Sequence, residues 1–270
     1  MSFDTHALFG FYHLLFFVIT VGAAVSLAIV FRKTQNEKLI LYICLGLTIM
    51  CQLIFIFNYA QGYPANNPDK NGDVINWLIP PDELPLHLCN VQLFVMLGIT
   101  FITNEKIRMG LIAFFIPTAI AGAFLAMALA TSPVDFGWIS FVGAQYCISH
   151  GVLIFLGLYL YFYHYKKLTI KLVIISLCSL LFSGIVSIYV NSAIRGDANY
   201  FFTARPPHEG LPLLNLENGW PVYIFSLFGI AILLIPLIYL PVIIREVKKI
   251  VHAKKCANNN LENNDSETKE

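Results

Sequence analysis

Charged residues are scarce in this chain: Asp, Glu, Lys and Arg make up 12% of its 270 residues, and 57% are apolar. A soluble domain carries roughly 25% charged residues, so the shortage indicates a protein whose main solvent is a lipid bilayer. The formal net charge of +1 gives no reason to expect a nucleic-acid partner. We therefore expect membrane lipids around most of the chain, and the sequence indicates no particular protein partner.

Several groups that define known classes of membrane protein are also missing. The last apolar stretch contains no lysine, which excludes a retinal Schiff base of the kind found in rhodopsins. No Asp or Glu lies deep in an apolar stretch, which disfavours transport coupled to protons or sodium. No HxxxH or CxxC spacing supports a metal site. We therefore predict neither a metal nor a cofactor.

Seven apolar stretches are each close to the roughly 20 residues that a helix needs to cross a bilayer. They predict an all-α fold, a bundle of seven transmembrane helices. No basic segment precedes the first stretch and no cleavage site follows it, so we expect it to be retained as a helix. The predicted spans are Ala7–Phe31, Leu39–Tyr59, Leu84–Thr103, Ile107–Thr131, Val142–Tyr165, Thr169–Asn191 and Pro221–Ile244.

The basic residues alternate between the two ends of these spans. The segment before the first span and the connections after the second, fourth and sixth spans lie on one side, and of the 17 Lys and Arg residues this side has only three, Lys70, Arg195 and Arg205. The other 14 lie at the opposite side. Basic residues collect on the cytoplasmic side of membrane proteins. The pattern predicts a protein of the cell membrane with its N-terminus outside and its C-terminus in the cytoplasm.

The chain divides into a predicted seven-helix domain, residues 1–245, and a cytoplasmic tail, residues 246–270. The tail is basic at first and then polar, and Asn258–Glu270 has almost no apolar residues, which predicts disorder. The basic segment Arg245–Lys255 is compatible with a contact to anionic lipid, although ordinary positive-inside charge also explains it.

Polar side chains within the spans concentrate towards the outer ends of the predicted helices. At 1.5 Å per residue, they lie within about 12 Å of the outer surface, whereas the inner half has almost nothing comparable. Polar groups inside a membrane usually face the interior of the bundle. We therefore expect a shared outer cavity, with a purely structural polar cluster as the alternative. The residues are His13, Asn58, His87, Cys89, Asn90, Gln145, His150 and Asn191.

His150 is the residue that we expect to act as a general base, since histidine titrates near neutral pH. Two cysteines are candidate nucleophiles beside it. Cys89 would approach from another helix at a compatible depth, whereas Cys147 precedes His150 by three residues on the same helix and can touch it directly. His87 should not face the same point as Cys89, because two residues are separated by about 200° around a helix.

Three motifs carry a resemblance to a known family: Leu84-Pro-Leu-His-Leu-Cys89, Ile148-Ser-His-Gly151, and Asn191 followed by Asn199-Tyr-Phe-Phe. In this order they resemble the YwaF-like integral membrane proteins, also called the transmembrane protein 164 family, over about residues 3–244. The resemblance implies a phospholipid acyltransferase, because a eukaryotic member is described as one with a cysteine as proposed acyl carrier. Leu86 stands at that cysteine's position here, with Cys89 nearby.

We therefore expect an enzyme that acts on phospholipid acyl chains from an outer-leaflet cavity. In this hypothesis His150 is the base, Cys89 the acyl carrier, and His87 and Asn191 orient or polarise the ester, while Arg205 contacts a lipid phosphate. The alternatives are a non-catalytic transporter or sensor that binds a small polar ligand, and a structural protein whose polar groups only specify packing. The expected substrate-binding residues are His13, Asn58, Asn90, Asn199 and Arg205.

Overall fold

The computed structural model describes Asp4 and residues 9–62, 84–129, 137–194, 198–207 and 213–267, with the side chains of 58–62 and 257–267 excepted. Over these ranges the chain is all-α, without a strand, which confirms the predicted class. A short 3-10 turn lies at Tyr200–Phe202. The α-helices are α1 (Phe11–Phe31), α2 (Glu37–Gly62), α3 (Leu88–Phe101), α4 (Glu105–Ala128), α5 (Phe141–His164), α6 (Ile170–Ala193), α7 (Trp220–Ile238) and α8 (Leu240–Glu267).

Six helices are long and apolar enough to cross a membrane, namely α1, α2, α4, α5, α6 and α7. The chain is therefore a multi-pass membrane protein, while a count of seven spans and the orientation remain predictions. The exception is α3, which has 14 residues and a length of about 21 Å. Its predicted span began at Leu84, but Leu84–His87 form a turn in which the Leu86 N–H donates to the Leu84 carbonyl.

The centre of the bundle is formed by α4 and α5. Helix α4 packs against α1, α3, α5, α6 and α7, and α5 packs against α1 to α4. The two approach closely at Gly157, where an added Cβ would lie 2.8 Å from Ile120 Cγ1 and 3.3 Å from the Ile116 carbonyl oxygen. Small residues allow membrane helices this approach, as the Ala- and Gly-rich sequence after Pro117 predicts.

A proline in α4 leaves one buried carbonyl without its helical partner. Pro117 has no N–H, so the Ala113 carbonyl cannot receive the usual bond from four residues later. The Tyr239 hydroxyl, at the junction of α7 and α8, donates to that carbonyl at 2.7 Å. Both residues are fully buried. Tyr239 therefore replaces the missing backbone donor and ties the end of α7 to the middle of α4.

The last predicted span, Pro221–Ile244, is divided between α7 and α8. Pro241 has no N–H for the Leu237 carbonyl, so the helix breaks at Tyr239. Helix α8 then continues to Glu267. The division of the chain into a helical bundle and a disordered tail stays a prediction.

A second polar cluster joins helix ends on the side of the bundle that is opposite to the predicted cavity. Glu37 Oε1 of α2 lies 2.6 Å from Arg108 Nη2 of α4 and 2.7 Å from His164 Nε2 of α5. Arg108 Nε also donates to the Ile99 carbonyl of α3 at 2.9 Å. Sequence reasoning missed this cluster, because its members lie at or beside the ends of the apolar stretches and their convergence depends on packing.

We predict that Tyr239→Phe lowers the free energy of unfolding by about 1 kcal/mol, because it leaves the Ala113 carbonyl unpaired. Unfolding in mixed detergent micelles measures the change. Tyr161→Phe is the matched control, since the buried Tyr161 hydroxyl has no partner among the described residues, and it should change little. In a Pro117→Ala background, where residue 117 regains an N–H, Tyr239→Phe should also cost less. An equal cost in both backgrounds would contradict the role given to Tyr239.

We predict that Glu37→Gln lowers the free energy of unfolding by about 2 kcal/mol, because Arg108 loses its counter-ion in a mostly buried place. The side chains of Glu37 and Arg108 are 12% and 15% exposed. Glu105→Gln is the control: its pair with Lys167 is 55% and 61% exposed, so its loss should cost about 0.5 kcal/mol or less. Equal losses in the same micelle assay would show that burial does not strengthen the Glu37 cluster.

Candidate functional site

His150 lies in the first half of α5 with only 8% of its surface exposed. Its Nδ1 is 2.8 Å from the Tyr146 carbonyl oxygen and 3.3 Å from Ser149 Oγ. A carbonyl oxygen only accepts hydrogen bonds, so in the neutral ring Nδ1 carries the proton and Nε2 carries the lone pair. No partner for Nε2 is found among the described residues. The ring is thus oriented as a proton acceptor needs to be.

Tyr146 lies beside His150 and near the two candidate nucleophiles. The rings of Tyr146 and His150 have centroids 4.1 Å apart, and the thiols of Cys89 and Cys147 lie in the neighbourhood of the same tyrosine. Cys89 is half-buried in the first turn of α3, and Cys147 is buried on α5 beside Thr20 of α1. In the described part of the chain no hydrogen bond joins His150 to either thiol, so both remain candidates.

His13 has a different environment, with both ring nitrogens engaged. Nδ1 accepts from the Phe9 N–H at 2.8 Å, and Nε2 donates to the Met127 carbonyl at 2.8 Å. The ring, 1% exposed, stacks on Trp138 with centroids 4.6 Å apart. Since Met127 lies in the last turn of α4, whose carbonyls lack helical partners, His13 caps that helix. No ring nitrogen is left for a ligand.

The Tyr146 hydroxyl serves the same helix end, where it donates to the Ala126 carbonyl at 2.6 Å. His13 from α1 and Tyr146 from α5 therefore pair two of the four carbonyls that end α4 without helical partners. Polar side chains at this depth are required by the helix end itself. This requirement accounts for part of the concentration of polar residues that the sequence shows here.

Side-chain amides link four helices, α2 to α5, in this part of the bundle. The Gln52 amide of α2 donates to Asn90 Oδ1 of α3 at 2.6 Å, and the Gln145 amide of α5 donates to the Cys51 carbonyl at 3.2 Å. Gln92, fully buried, donates to Thr118 Oγ1 at 3.0 Å. Sequence reasoning missed Gln52, although it lies on α2 less than two helical turns before the predicted site residue Asn58. The side chain of Asn58 lies outside the described residues.

Asn191 holds the segment 198–205 against the end of α6. Its amide nitrogen donates to the Tyr200 carbonyl at 3.0 Å and to Thr203 Oγ1 at 2.9 Å, and its Oδ1 accepts from the Tyr200 N–H at 2.9 Å. Asn199 closes the same segment, since it bonds the backbone of Ala204 and Arg205 through three contacts of 2.9–3.1 Å. Both asparagines fix a loop, and their polar atoms are occupied by its backbone.

The segment 198–205 forms one wall of the polar region. The ring of Tyr200 lies edge-on to the ring of His87, the N-cap residue of α3, with centroids 5.1 Å apart. An open cavity of about 210 Å³ adjoins the segment at Thr203 and Ala204, and Arg205 is exposed at the end of the segment. The cavity is lined by Ile188, Asn191, Ser192, Thr203, Ala204 and Trp220.

The structure thus divides the predicted site residues into two groups. His150, Cys89 and Cys147 lie near Tyr146, while His87, Asn191, Asn199 and Arg205 lie in or beside the loop. His87 belongs to α3, as does Cys89, and so connects the two groups. No cluster of three or more His, Cys, Asp or Glu side chains suited to a metal ion occurs in the described residues.

A model of the TMEM164 family matches residues 5–239. The match covers nearly the whole helical bundle and stops as α7 ends, so α8 lies beyond it. It confirms the resemblance carried by the three sequence motifs. No curated protein and no solved structure matches the chain.

We predict that Asn191→Ala releases the segment 198–205, because the three hydrogen bonds that the Asn191 amide makes to this segment are lost, at a cost of about 1–3 kcal/mol. Hydrogen–deuterium exchange measures the release as faster exchange of the Tyr200 amide. Ser192→Ala is the control, because the exposed Ser192 hydroxyl bonds only the Ile188 carbonyl of its own helix. Unchanged exchange in Asn191→Ala would contradict this role.

Proposed function

The chain belongs to the TMEM164 family, and we propose that it is a membrane-embedded acyltransferase that acts on phospholipid acyl chains. The observation that carries the proposal is the setting of His150. Its Nδ1–H is held by the Tyr146 carbonyl at 2.8 Å, which leaves the Nε2 lone pair for a substrate or thiol proton. The thiols of Cys89 and Cys147 lie near the tyrosine whose ring contacts this histidine. An acyl transfer needs such a base beside a nucleophile.

The covalent form of the reaction has two steps, acylation of the thiol and transfer of the acyl group to an acceptor. His150 Nε2 removes the Cys89 thiol proton, and the sulfur attacks the ester carbonyl of a phospholipid. The ester C–O bond breaks, the departing alkoxide takes the proton from His150, and a lysophospholipid leaves. In the second step His150 removes the proton of an acceptor hydroxyl, which attacks the thioester and returns the proton to the thiolate. Without a thiol intermediate, His150 would activate the acceptor hydroxyl directly.

The remaining predicted residues have supporting roles in this proposal. His87 faces the ester from the N-cap of α3, and Asn191 acts through the loop that it holds beside His87. Arg205 is exposed at the end of the same loop, where a guanidinium suits a lipid phosphate. His13, Asn90 and Asn199 support the substrate region through the helix end, the interhelical amide pair and the loop that they hold. Asn58 stays a predicted binding residue. The basic-residue pattern favours the cell membrane, with this end of the bundle in its outer leaflet.

We predict that His150→Ala abolishes the change in phospholipid acyl-chain distribution that the wild type produces when it is expressed. Mass spectrometry of membranes with matched protein levels measures this. His252→Ala is the control, because His252 is exposed on α8 and should leave the wild-type profile intact. If the wild type and an empty vector give the same profile, the proposed reaction is wrong, and a transporter or sensor that binds a small polar ligand becomes the better explanation.

We predict that Cys89→Ala removes an acyl thioester that intact-protein mass spectrometry detects on the wild type. Cys147→Ala should retain the adduct, and Cys178→Ala is the neutral control, since Cys178 is exposed on α6. Loss of the adduct only in Cys147→Ala would assign the nucleophile to α5. If acyl transfer survives both Cys89→Ala and Cys147→Ala but not His150→Ala, the covalent step is wrong and the direct step applies.

A further inference from the structure

Helix α8 differs in composition from every other long helix. It has 28 residues, follows α7 after a break at one residue, and is not among the helices apolar enough to cross a bilayer. From Leu240 to Cys256 its only acidic residue is Glu246. Over the same stretch it carries five basic residues, Arg245, Lys248, Lys249, Lys254 and Lys255.

The beginning of α8 is fixed to the basic end of the bundle. Arg245 donates to the carbonyls of Tyr165 and Leu168, and its guanidinium lies 4.7 Å from the centre of the Tyr165 ring. The Tyr165 hydroxyl donates to the Pro241 carbonyl at 3.2 Å. Tyr165 and Leu168 lie in the connection between α5 and α6, which also contains Lys166 and Lys167. Helix α8 therefore leaves the bundle where the membrane-spanning helices end.

An apolar stripe runs along α8 beyond this attachment. Leu240, Ile244, Val247 and Val251 recur every three or four residues, so they share one face of the helix. They are 46%, 46%, 46% and 61% exposed, and Ile250 beside them is 51% exposed. Within the described ranges, the rest of the chain leaves these side chains about half exposed.

Lysines flank this stripe on both sides. At 100° per residue, Lys248 and Lys255 lie along one edge and Lys254 along the other, while Ala253 lies on the opposite face. No described residue pairs with these three lysines. Long lysine side chains can place their stems beside apolar surface and their ammonium groups in the head-group layer. A helix with a charged face, a narrow apolar face and low overall hydrophobicity is suited to the plane of a membrane surface.

We propose that α8, from Ile244 to Lys255, binds an anionic phospholipid surface, with its apolar stripe between the acyl chains and its lysines on the phosphates. The charge balance of the stretch and its attachment at the membrane edge favour a lipid surface over a second copy of the chain. Two copies would bring the same lysines together, and like charges repel. The surface is separate from the acyl-transfer site, so this inference stands or falls independently of the proposed function.

The test uses the full-length protein with Cys256→Ser and one new cysteine, Val251→Cys or Ala253→Cys. Each is labelled in detergent with a charged, thiol-reactive fluorophore and reconstituted into vesicles of phosphatidylcholine with one quarter phosphatidylglycerol. The parent without a new cysteine gives the background from native thiols. Spin-labelled lipid then quenches the fluorophore. Quenching at residue 251 should exceed that at residue 253 several-fold, because the two positions are about 200° apart on the helix.

The charge dependence is tested with Lys248→Gln, Lys254→Gln and Lys255→Gln together. Each lysine near an anionic surface contributes about a fivefold factor, so their loss should weaken surface binding about a hundredfold and remove the excess quenching. Vesicles of phosphatidylcholine alone should also lose it. Equal quenching at residues 251 and 253 in anionic vesicles would overturn the proposal. Excess quenching that persists without anionic lipid, or that depends on protein density, would overturn it as well.

Discussion

A bilayer offers no water to an unpaired carbonyl or amide, and the arrangement of this bundle follows from that shortage. Pro117 leaves the Ala113 carbonyl without its helical donor, and the Tyr239 hydroxyl supplies one from another helix. The end of α4 leaves further carbonyls, which His13 and Tyr146 pair. Polar side chains thus pair carbonyls at an interruption and at the end of α4, and each also fixes the position of the helix that it comes from.

Sequence periodicity and length predict the all-α class and the six long apolar helices, because an apolar run of about 20 residues has few other stable forms. They do not predict the Glu37 cluster. Glu37, Arg108 and His164 lie at the ends of three helices, where each alone has an ordinary surface explanation, and only the packing of α2, α4 and α5 brings them within 2.7 Å. The break of the last span at Tyr239, by contrast, has a local cause in the sequence, because Pro241 has no N–H for the Leu237 carbonyl.

The same limit applies to the candidate site. Depth along a helix predicts that His13, His150 and Asn191 lie at one level, but it does not identify their partners. The structure gives His13 two backbone partners and Asn191 three loop contacts, whereas His150 is held through Nδ1 alone. Histidines of equal depth therefore differ in chemical availability. The proposed reaction relies on the one whose second nitrogen is not used by the bundle.

The shortness of α3 has a consequence for the lipid around it. A helix of about 21 Å does not match a hydrocarbon layer of about 30 Å, and a bilayer adapts to such hydrophobic mismatch by thinning locally. Phe94 and Phe101 of α3 are 55% and 61% exposed, so this helix faces lipid directly. If α3 crosses the bilayer, as the sequence predicts, head groups beside it would be drawn towards the level of His87 and Cys89. Lipid esters would then approach these residues without leaving the membrane.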